Sequence, residues 1–502
     1  MKKIKFLLFV LLALLYVTNA NALIVNDTFT RDGNTYRVTT MDEAHDGIPQ
    51  TYNVAFVSST NTTVNIPATV TDPNNQYTFN VTAIANNSTV PNATSVTMPN
   101  TIVRIEANAF KGGNITSITI PQSVKEIQSG AFGQMSHLTA INVDAANPNF
   151  RSDNGVLIEK KDSKEWVAAY PLARPDAEYT VPEGVYGVYT NAFQRASYLT
   201  KITLPASLKE SPSTAEFNGY TSAQNLREIA VAAGNTAFKS VDGVLLSADG
   251  KKLIAYPNGK AGSPSTNPAY QGVTGQPNAS VYKIPDGVES IEQAAFAQVN
   301  GLTAIELNGV KKLAKGAFDK AVKLRNVLLG PSVDTIEDGA FGGNNDLAAF
   351  DVDPANPNYT ADNGVIYTKN KEELVLFPAG KAGEYTTLPT TKKIRNRAFY
   401  YAQKVTKVNF NSNLEVIDND AFQATTKLEN ITFEAPAKIK TIGTFAFQGS
   451  GLTELNIPAS LQVVSWSAFG STKLKKVTVA DGSQLQSINT GAFNGCKDLE
   501  EF

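Results

Sequence analysis

The chain has 502 residues, enough for about three ordinary domains by length alone. Apolar residues make up 42% and charged residues 18%, a globular balance that excludes a disordered or collagen-like chain. Basic and acidic residues number 44 and 46 with no basic stripe, which excludes a nucleic-acid binder.

The first element is an export signal. Lys2, Lys3 and Lys5 precede an apolar run over residues 6–17, and Ala20-Asn21-Ala22 follows. A positive start, a short apolar centre and a small-x-small end predict a secretory peptide over residues 1–22, cleaved after Ala22. The run is too short to cross a bilayer comfortably, and no later segment is apolar enough to span one. No cysteine lies near the cleavage site, so no lipid anchor is expected. Cys496 is the only cysteine, so no internal disulfide can form and the core alone must hold an exported fold. It reads as a small buried apolar residue. Residues 23–78 read as a β-rich N-terminal cap region. Asn-x-Ser/Thr triplets between 26 and 116, such as Asn80-Val81-Thr82 and Asn92-Ala93-Thr94, invite glycans in a eukaryotic secretory route. An Asn/Thr-rich surface also produces them by chance.

From residue 79 onward one phrase recurs, as in "IPQSVKEIQSGAF" (120–132), "IPDGVESIEQAAF" (284–296) and "IPASLQVVSWSAF" (457–469). The unit is L-x-x-I-x-I-P-x-S-V-x-x-I-x-x-x-A-F. Its phenylalanine stands at Phe110, Phe132, Phe193, Phe217, Phe296, Phe318, Phe341, Phe399, Phe422, Phe447, Phe469 and Phe493, with uninterrupted steps of 22 to 25 residues. A worn copy precedes them near residues 84–90. Such a period predicts a solenoid. In "LTELNIPASL" (452–461), Leu455 and Ile457 alternate with polar residues, which suits a strand with one face inward. Pro458 ends it, because proline cannot donate to a ladder. Leu461 and Val464 supply a second apolar stretch, and Ala468-Phe469 closes the coil. One coil cannot bury its own apolar face; stacked coils bury each other's. The expected fold is a β-rich repeat solenoid of about 12 or 13 coils, extending about 4.8 Å per coil.

Three gaps between phenylalanines, of 61, 79 and 58 residues, are too long for one coil. They hold related insertions, "FRSDNGVLIEKKDSKEWVAAYP" (150–171), "FKSVDGVLLSADGKKLIAYP" (238–257) and "YTADNGVIYTKNKEELVLFP" (359–378), near 147–182, 235–284 and 356–389. Each reads as a β-hairpin, two short strands around a polar turn, with Asp249-Gly250 a favoured turn pair. Residues 258–280, rich in Gly, Pro and Ser, read as a flexible loop. Insertions of this kind either protrude and carry binding or cover an exposed sheet edge.

The repeated pattern, together with the opening "FTRDGNTYRVTTMDEAHD" (29–46), resembles the BspA-like leucine-rich-repeat proteins over residues 29–502. The resemblance implies a leucine-rich-repeat superhelix, secreted or attached to the cell surface, that adheres to host or neighbouring-cell proteins. The final "CKDLEEF" (496–502) reads as a repeat cut in mid-unit, with no anchoring tail in view.

Catalytic chemistry finds no support. His45 and His137, the only histidines, belong to no triad or metal-ligand spacing. No glycine-rich phosphate loop follows a strand. The oxygens in "DVDPANPNYTADN" (351–363) suit turn formation better than calcium, which needs six or more converging ligands. Glu372-Glu373 and Glu500-Glu501 are adjacent pairs that cannot face one another across a substrate. No metal, cofactor or nucleic acid is expected, and no enzyme.

Binding surfaces remain. The outward strand positions, among them Thr119, Asn142, Glu306, Asp351, Asn409, Thr432, Asn456 and Thr478, form a polar row without aromatic anchors. Against the sister copies, three aromatics stand where polar or small residues are expected to face water. Trp166 matches Lys252 and Glu373, Trp466 matches Ser129 and Asp338, and Phe445 matches Asn108 and Gly130. These are the candidate ligand-binding residues, although single exposed apolar residues are also ordinary. The reading is an exported adhesin or protein-binding scaffold, secreted or at the cell surface through the general secretory route and acting as a monomer. The alternative is a glycan-binding protein of a surface nutrient-uptake system.

Overall fold

The computed structural model describes residues 23–42, 51–74, 77–189, 192–210, 223–264 and 280–501. The predicted secretory peptide, His45, Phe217 and most of the loop at 258–280 lie outside the described residues. The chain divides into two compact units, Met1–Arg174 and Pro175–Phe502. Both are β-solenoids, and no helix occurs among the described residues.

The first unit opens with antiparallel pairing. Thr28–Arg31 turns through Asp32 and Gly33, both left-handed, into Asn34–Asp42, which pairs with Thr51–Ser59. From there the rungs themselves pair in parallel. Thr51–Ser59 lies beside Thr78–Thr89, which is followed by Arg104–Ile105 and Glu126–Ile127. The worn copy is thus a true rung, and Val90 N–H donates to the Lys111 carbonyl at 3.0 Å. The rings of Phe29, Tyr36, Phe56, Phe79 and Phe110 fill the interior behind the antiparallel strands. Those strands cover the apolar face that the first parallel rung would leave bare.

The second unit carries three ladders. The I-x-I segments form four-residue strands, such as Ala304–Leu307, Asn326–Leu329 and Ala349–Val352, parallel and offset by one coil. Ile305, Val327 and Phe350 align inward, while Glu306, Leu328 and Asp351 align outward. Each proline after the strand starts a turn; the Leu461 N–H, for example, donates to the Pro458 carbonyl at 3.1 Å. Two-residue strands follow, such as Lys312–Leu313 and Thr335–Ile336. At the third ladder most of the phenylalanine N–H groups donate to the alanine carbonyl of the next coil, as Phe318 does to Ala340 at 2.8 Å and Phe447 to Ala468 at 2.7 Å. The rings then lie one coil apart, with centroids at 4.9 Å for Phe296–Phe318, 4.5 Å for Phe318–Phe341 and 4.8 Å for Phe422–Phe447. That distance is the strand spacing itself.

The serine of I-P-x-S-V also has a task. Ser123, Ser207 and Ser460 donate from Oγ to the carbonyls of Ile102, Val185 and Ile439 in the preceding coil. At an insertion no such serine follows. There an asparagine takes over, buried at Asn147 and Asn356 and half-buried at Asn235. Asn356 Nδ2 donates to the Gly330 and Val333 carbonyls at 2.9 and 3.0 Å, and its Oδ1 accepts from the Asn358 and Tyr359 N–H groups, both at 2.8 Å. Asn147 and Asn235 repeat the arrangement.

Each insertion is two hairpins sharing a strand, as in Tyr359–Asp362, Val365–Thr368 and Glu373–Leu376. The tightest turns are Asn154-Gly155, Asp242-Gly243 and Asn363-Gly364, left-handed at both residues, rather than Asp249-Gly250, where the glycine alone is left-handed. The Gly364 carbonyl accepts the Phe350 N–H at 2.9 Å, and a Cβ at Gly364 would stand 2.8 Å from Ala349 Cβ. The first hairpin therefore seals the edge of the long-strand ladder. The last strand rejoins the stack as a rung: Lys252–Ala255 runs parallel to Ser290–Ile291, and Glu373–Leu376 to Lys393–Ile394. Tyr256 and Phe377 take the phenylalanine place, 5.0 Å from Phe296 and 4.3 Å from Phe399. With such rungs the chain makes about 18 turns, more than its phenylalanine marks count.

Phe318 is 1% exposed between two stacked rings. Phe318→Ala is expected to cost about 3–5 kcal/mol, read as lost hydrogen-exchange protection across residues 291–341; unchanged protection there would contradict the interior stack. Asn356→Ala strips four hydrogen bonds and leaves buried carbonyls bare, which is expected to cost about 3 kcal/mol or more. A urea midpoint unmoved by that change would refute its role as a clamp.

Candidate functional site

In most coils of the longer unit a four-residue loop leads to the phenylalanine, as Glu337-Asp338-Gly339-Ala340 leads from Ile336 to Phe341. The residue two before the phenylalanine is left-handed at Gly316, Gly339, Arg397, Asp420, Phe445, Ser467 and Gly491. Because the coils stack in register, these loops form one row. The third insertion interrupts it: only Val375 and Leu376 separate Leu374 from Phe377, two residues fewer than in the coils that end at Phe341 and Phe399.

The shortened loop leaves a cleft of about 410 Å³ between the Phe341 and Phe399 loops. Lys315, Thr335, Ile336, Glu337, Asp338, Asn396, Arg397 and Asp420 line it. Most of its charges are committed. Lys312 Nζ lies 2.6 Å from Glu337, whose second oxygen accepts the Lys315 N–H at 2.8 Å. The Lys312 ammonium holds the Glu337 carboxyl below its ordinary range. Arg397 Nε lies 3.3 Å from Asp420, and its guanidinium stacks 5.0 Å over the Tyr400 ring. Arg397 reaches across because Gly339 has no Cβ; one would stand 3.2 Å from Arg397 Cδ. Partial burial, then the like charge of Asp418, push the Asp338 carboxyl up. Buried Asn396 Oδ1 has no hydrogen-bond partner.

Two of the three predicted aromatics meet on the same row. Phe445 and Trp466, on consecutive coils, pack edge to face with centroids 4.6 Å apart at 67°. The Phe445 N–H donates to the Trp466 carbonyl at 3.1 Å. Trp466 is 49% exposed, but Phe445 is half-buried against it, so the expectation of a water-facing ring holds for Trp466 and is corrected for Phe445. Phe445 also occupies a left-handed backbone, φ +57°, which costs a bulky side chain about 1–3 kcal/mol. Trp166 belongs to the first unit, pairs across the hairpin with Glu159, and is half-buried as well. A polar surface position is corrected there too, the ring being partly covered within the sheet of its insertion.

Over its last repeats the outward strand row is spent on itself. Thr432 Oγ1 donates to Asn409 Oδ1 at 2.7 Å, Asn409 Nδ2 to Thr386 Oγ1 at 3.2 Å, and Thr478 Oγ1 to Asn456 Oδ1. Cys496 is half-buried rather than buried, its thiol donating to the Phe469 carbonyl at 3.1 Å. His137 is exposed beside Ser136. Among the described residues no group of three His, Cys, Asp or Glu is placed to hold a metal ion, and no helix is long and apolar enough to cross a membrane. The cleft itself was missed by sequence reasoning. Its signal was the two-residue deficit in "LVLF" (374–377) against "IEDGAF" (336–341).

No curated protein matches the chain. Among solved structures it is similar to a leucine-rich cell surface protein of Faecalibacterium prausnitzii, with 17% identity, 96% of this chain and 95% of that one covered, and a TM-score of 0.40. The pneumococcal vaccine antigen PcpA shares 18% identity over 93% and 87% of the two chains at a TM-score of 0.32. A leucine-rich-repeat protein of Eubacterium ventriosum shares 16% over 68% and 92% at 0.36. The pattern of the BspA type leucine-rich repeat region, in six copies, matches residues 51–153, 177–241, 275–376 and 379–501. With most of its length in that pattern, the chain belongs to the BspA-type leucine-rich-repeat proteins.

Proposed function

We propose that this protein is an exported scaffold, secreted or held at the cell surface, that binds a protein ligand along the loop row of its longer unit and catalyses no reaction. The observation that carries the reading is the Phe445–Trp466 pair, whose indole is 49% exposed at a loop position that sister coils fill with Ser129, Lys315, Asp338 or Asn419. Aromatic residues of this kind dominate tight protein interfaces, because a rigid ring buries much area at little entropic cost. Export rests on the pattern of residues 1–22. Trp166 is proposed as a further contact on the first unit. The adhesive role follows what the family resemblance implies.

The rival reading, glycan binding within a nutrient-uptake system, would use the single indole face and the polar cleft. A screen of residues 23–502 against immobilised matrix proteins and glycans separates the two. Retention of a protein ligand is expected, weakened about tenfold or more by Trp466→Ala with little change in thermal midpoint. Retention of glycans alone would overturn the protein-binding reading. Trp166→Ala is expected to weaken the same interaction without unfolding the chain; a large loss of thermal stability would mean that the indole is a packing residue only.

A further inference from the structure

We propose that the cleft at the third insertion is a lysine pocket, taking the side-chain ammonium of a protein ligand between Asp338 and Asn396 with Ile336 against the alkyl stem. The proposal deepens the protein-binding reading and rests on it. The cleft exists because one rung lacks two loop residues. In a complete row, neighbouring loops exchange backbone donors: Asn419 Oδ1 accepts the Thr444 N–H of the next coil at 2.8 Å, and Glu337 Oε2 the Lys315 N–H of the preceding coil at 2.8 Å. Beside the shortened loop two acceptors have no partner. Asn396 Oδ1 is buried and unpartnered. Asp338 makes no hydrogen bond or ion pair among the described residues, whereas Glu337 and Asp420 are held by Lys312 and Arg397. A buried acceptor without a donor is costly, so the occupant must bring N–H or O–H groups.

Charge narrows the choice. Three carboxylates line the cleft, and its guanidinium is already committed to Asp420 and the Tyr400 ring, so an anion finds no free cation there except exposed Lys315. A bare divalent cation would need six or more oxygens, and no three acidic or histidine side chains converge. A neutral sugar could satisfy Asn396 but would bring no charge to Asp338, whose neighbouring cations Arg395, Arg397 and Lys393 are paired with Glu373, Asp420 and Asp418. An ammonium meets both, and its methylene stem suits Ile336. The aromatic pair lies three to four rungs further along the same row, about 17 Å at about 4.8 Å per rung. An extended ligand segment covers that distance with about five residues, which places a lysine and an apolar side chain about five positions apart.

The test is a titration of the full chain with Nα-acetyl-lysine methylamide, followed by NMR shifts of the residues lining the cleft. Its Nε-acetylated form, inorganic phosphate and methyl glucoside are run in parallel. A saturable response to the amine alone is expected, weakened about tenfold by Asp338→Asn and lost on Nε-acetylation. Trp466→Ala is expected to leave the amine response unchanged. If that variant also leaves protein-ligand retention unchanged, the aromatic-pair reading fails while the pocket stands. A preference for phosphate or glucoside, an equal response to the acetylated probe, or an amine response indifferent to Asp338→Asn would each overturn the pocket. Asn396→Leu serves as the second variant should Asp338→Asn disturb the fold, with the same loss expected.

Discussion

Along the edges of its strands, a rung of this fold has no partner of its own for the N–H and C=O groups. Leaving one such group buried and unpaired costs about 1–3 kcal/mol, so every rung must be completed by the next. That constraint explains features with little in common chemically. The phenylalanine N–H meets the alanine carbonyl one coil on, and the small methyl admits the close approach. The serine after the proline reaches back to a carbonyl that the turn leaves open. Ring stacking follows from the same spacing: rings fixed to rungs about 4.8 Å apart must meet face to face, although aromatic pairs left to themselves favour offset or edge-on contact.

The insertions are places where the next rung does not come at once, and each is furnished with substitutes. Asn147, Asn235 and Asn356 supply the donors that the missing serine would have given. The glycine turns at Gly155, Gly243 and Gly364 accept the N–H of Ile141, Ile229 and Phe350. These are edge covers first. Their functional consequence is indirect: in joining the stack through a shortened loop, the third insertion opens a cleft in the loop row. The ring stack registers the same interruption, since Phe341 ends against Phe350 edge-on and a new stack begins at Phe377.

Much of this was legible in the residues. The period placed Phe296, Phe318, Phe341 and their sisters inside, and they are buried. Asn and Asp in "DVDPANPNYTADN" (351–363) read correctly as turn formers; Asp353 Oδ1 caps the Ala355 N–H and Asn356 clamps the turn. Trp466 stood out against its sister positions and is exposed. Phe445 and Trp466 were visible as two anomalies, but not as one edge-to-face pair, because neighbouring repeats share a face only once the coil geometry is fixed. Tyr256 and Phe377 were hidden by chemistry and context: the first is not a phenylalanine, and the second does not follow an alanine.

The sequence by itself determined the stacked architecture, the inward rings and the positions of the interruptions, because an in-register solenoid converts a period along the chain directly into a period in space. Only the tertiary structure decided where empty space and unmet acceptors would lie. Asp338 and Asn396 are separated by the whole third insertion in the chain, yet line one cleft. Their juxtaposition depends on how many loop residues the intervening rung lacks, and a deficit becomes a cavity only when the flanking loops are held at fixed spacing by the ladders beneath them.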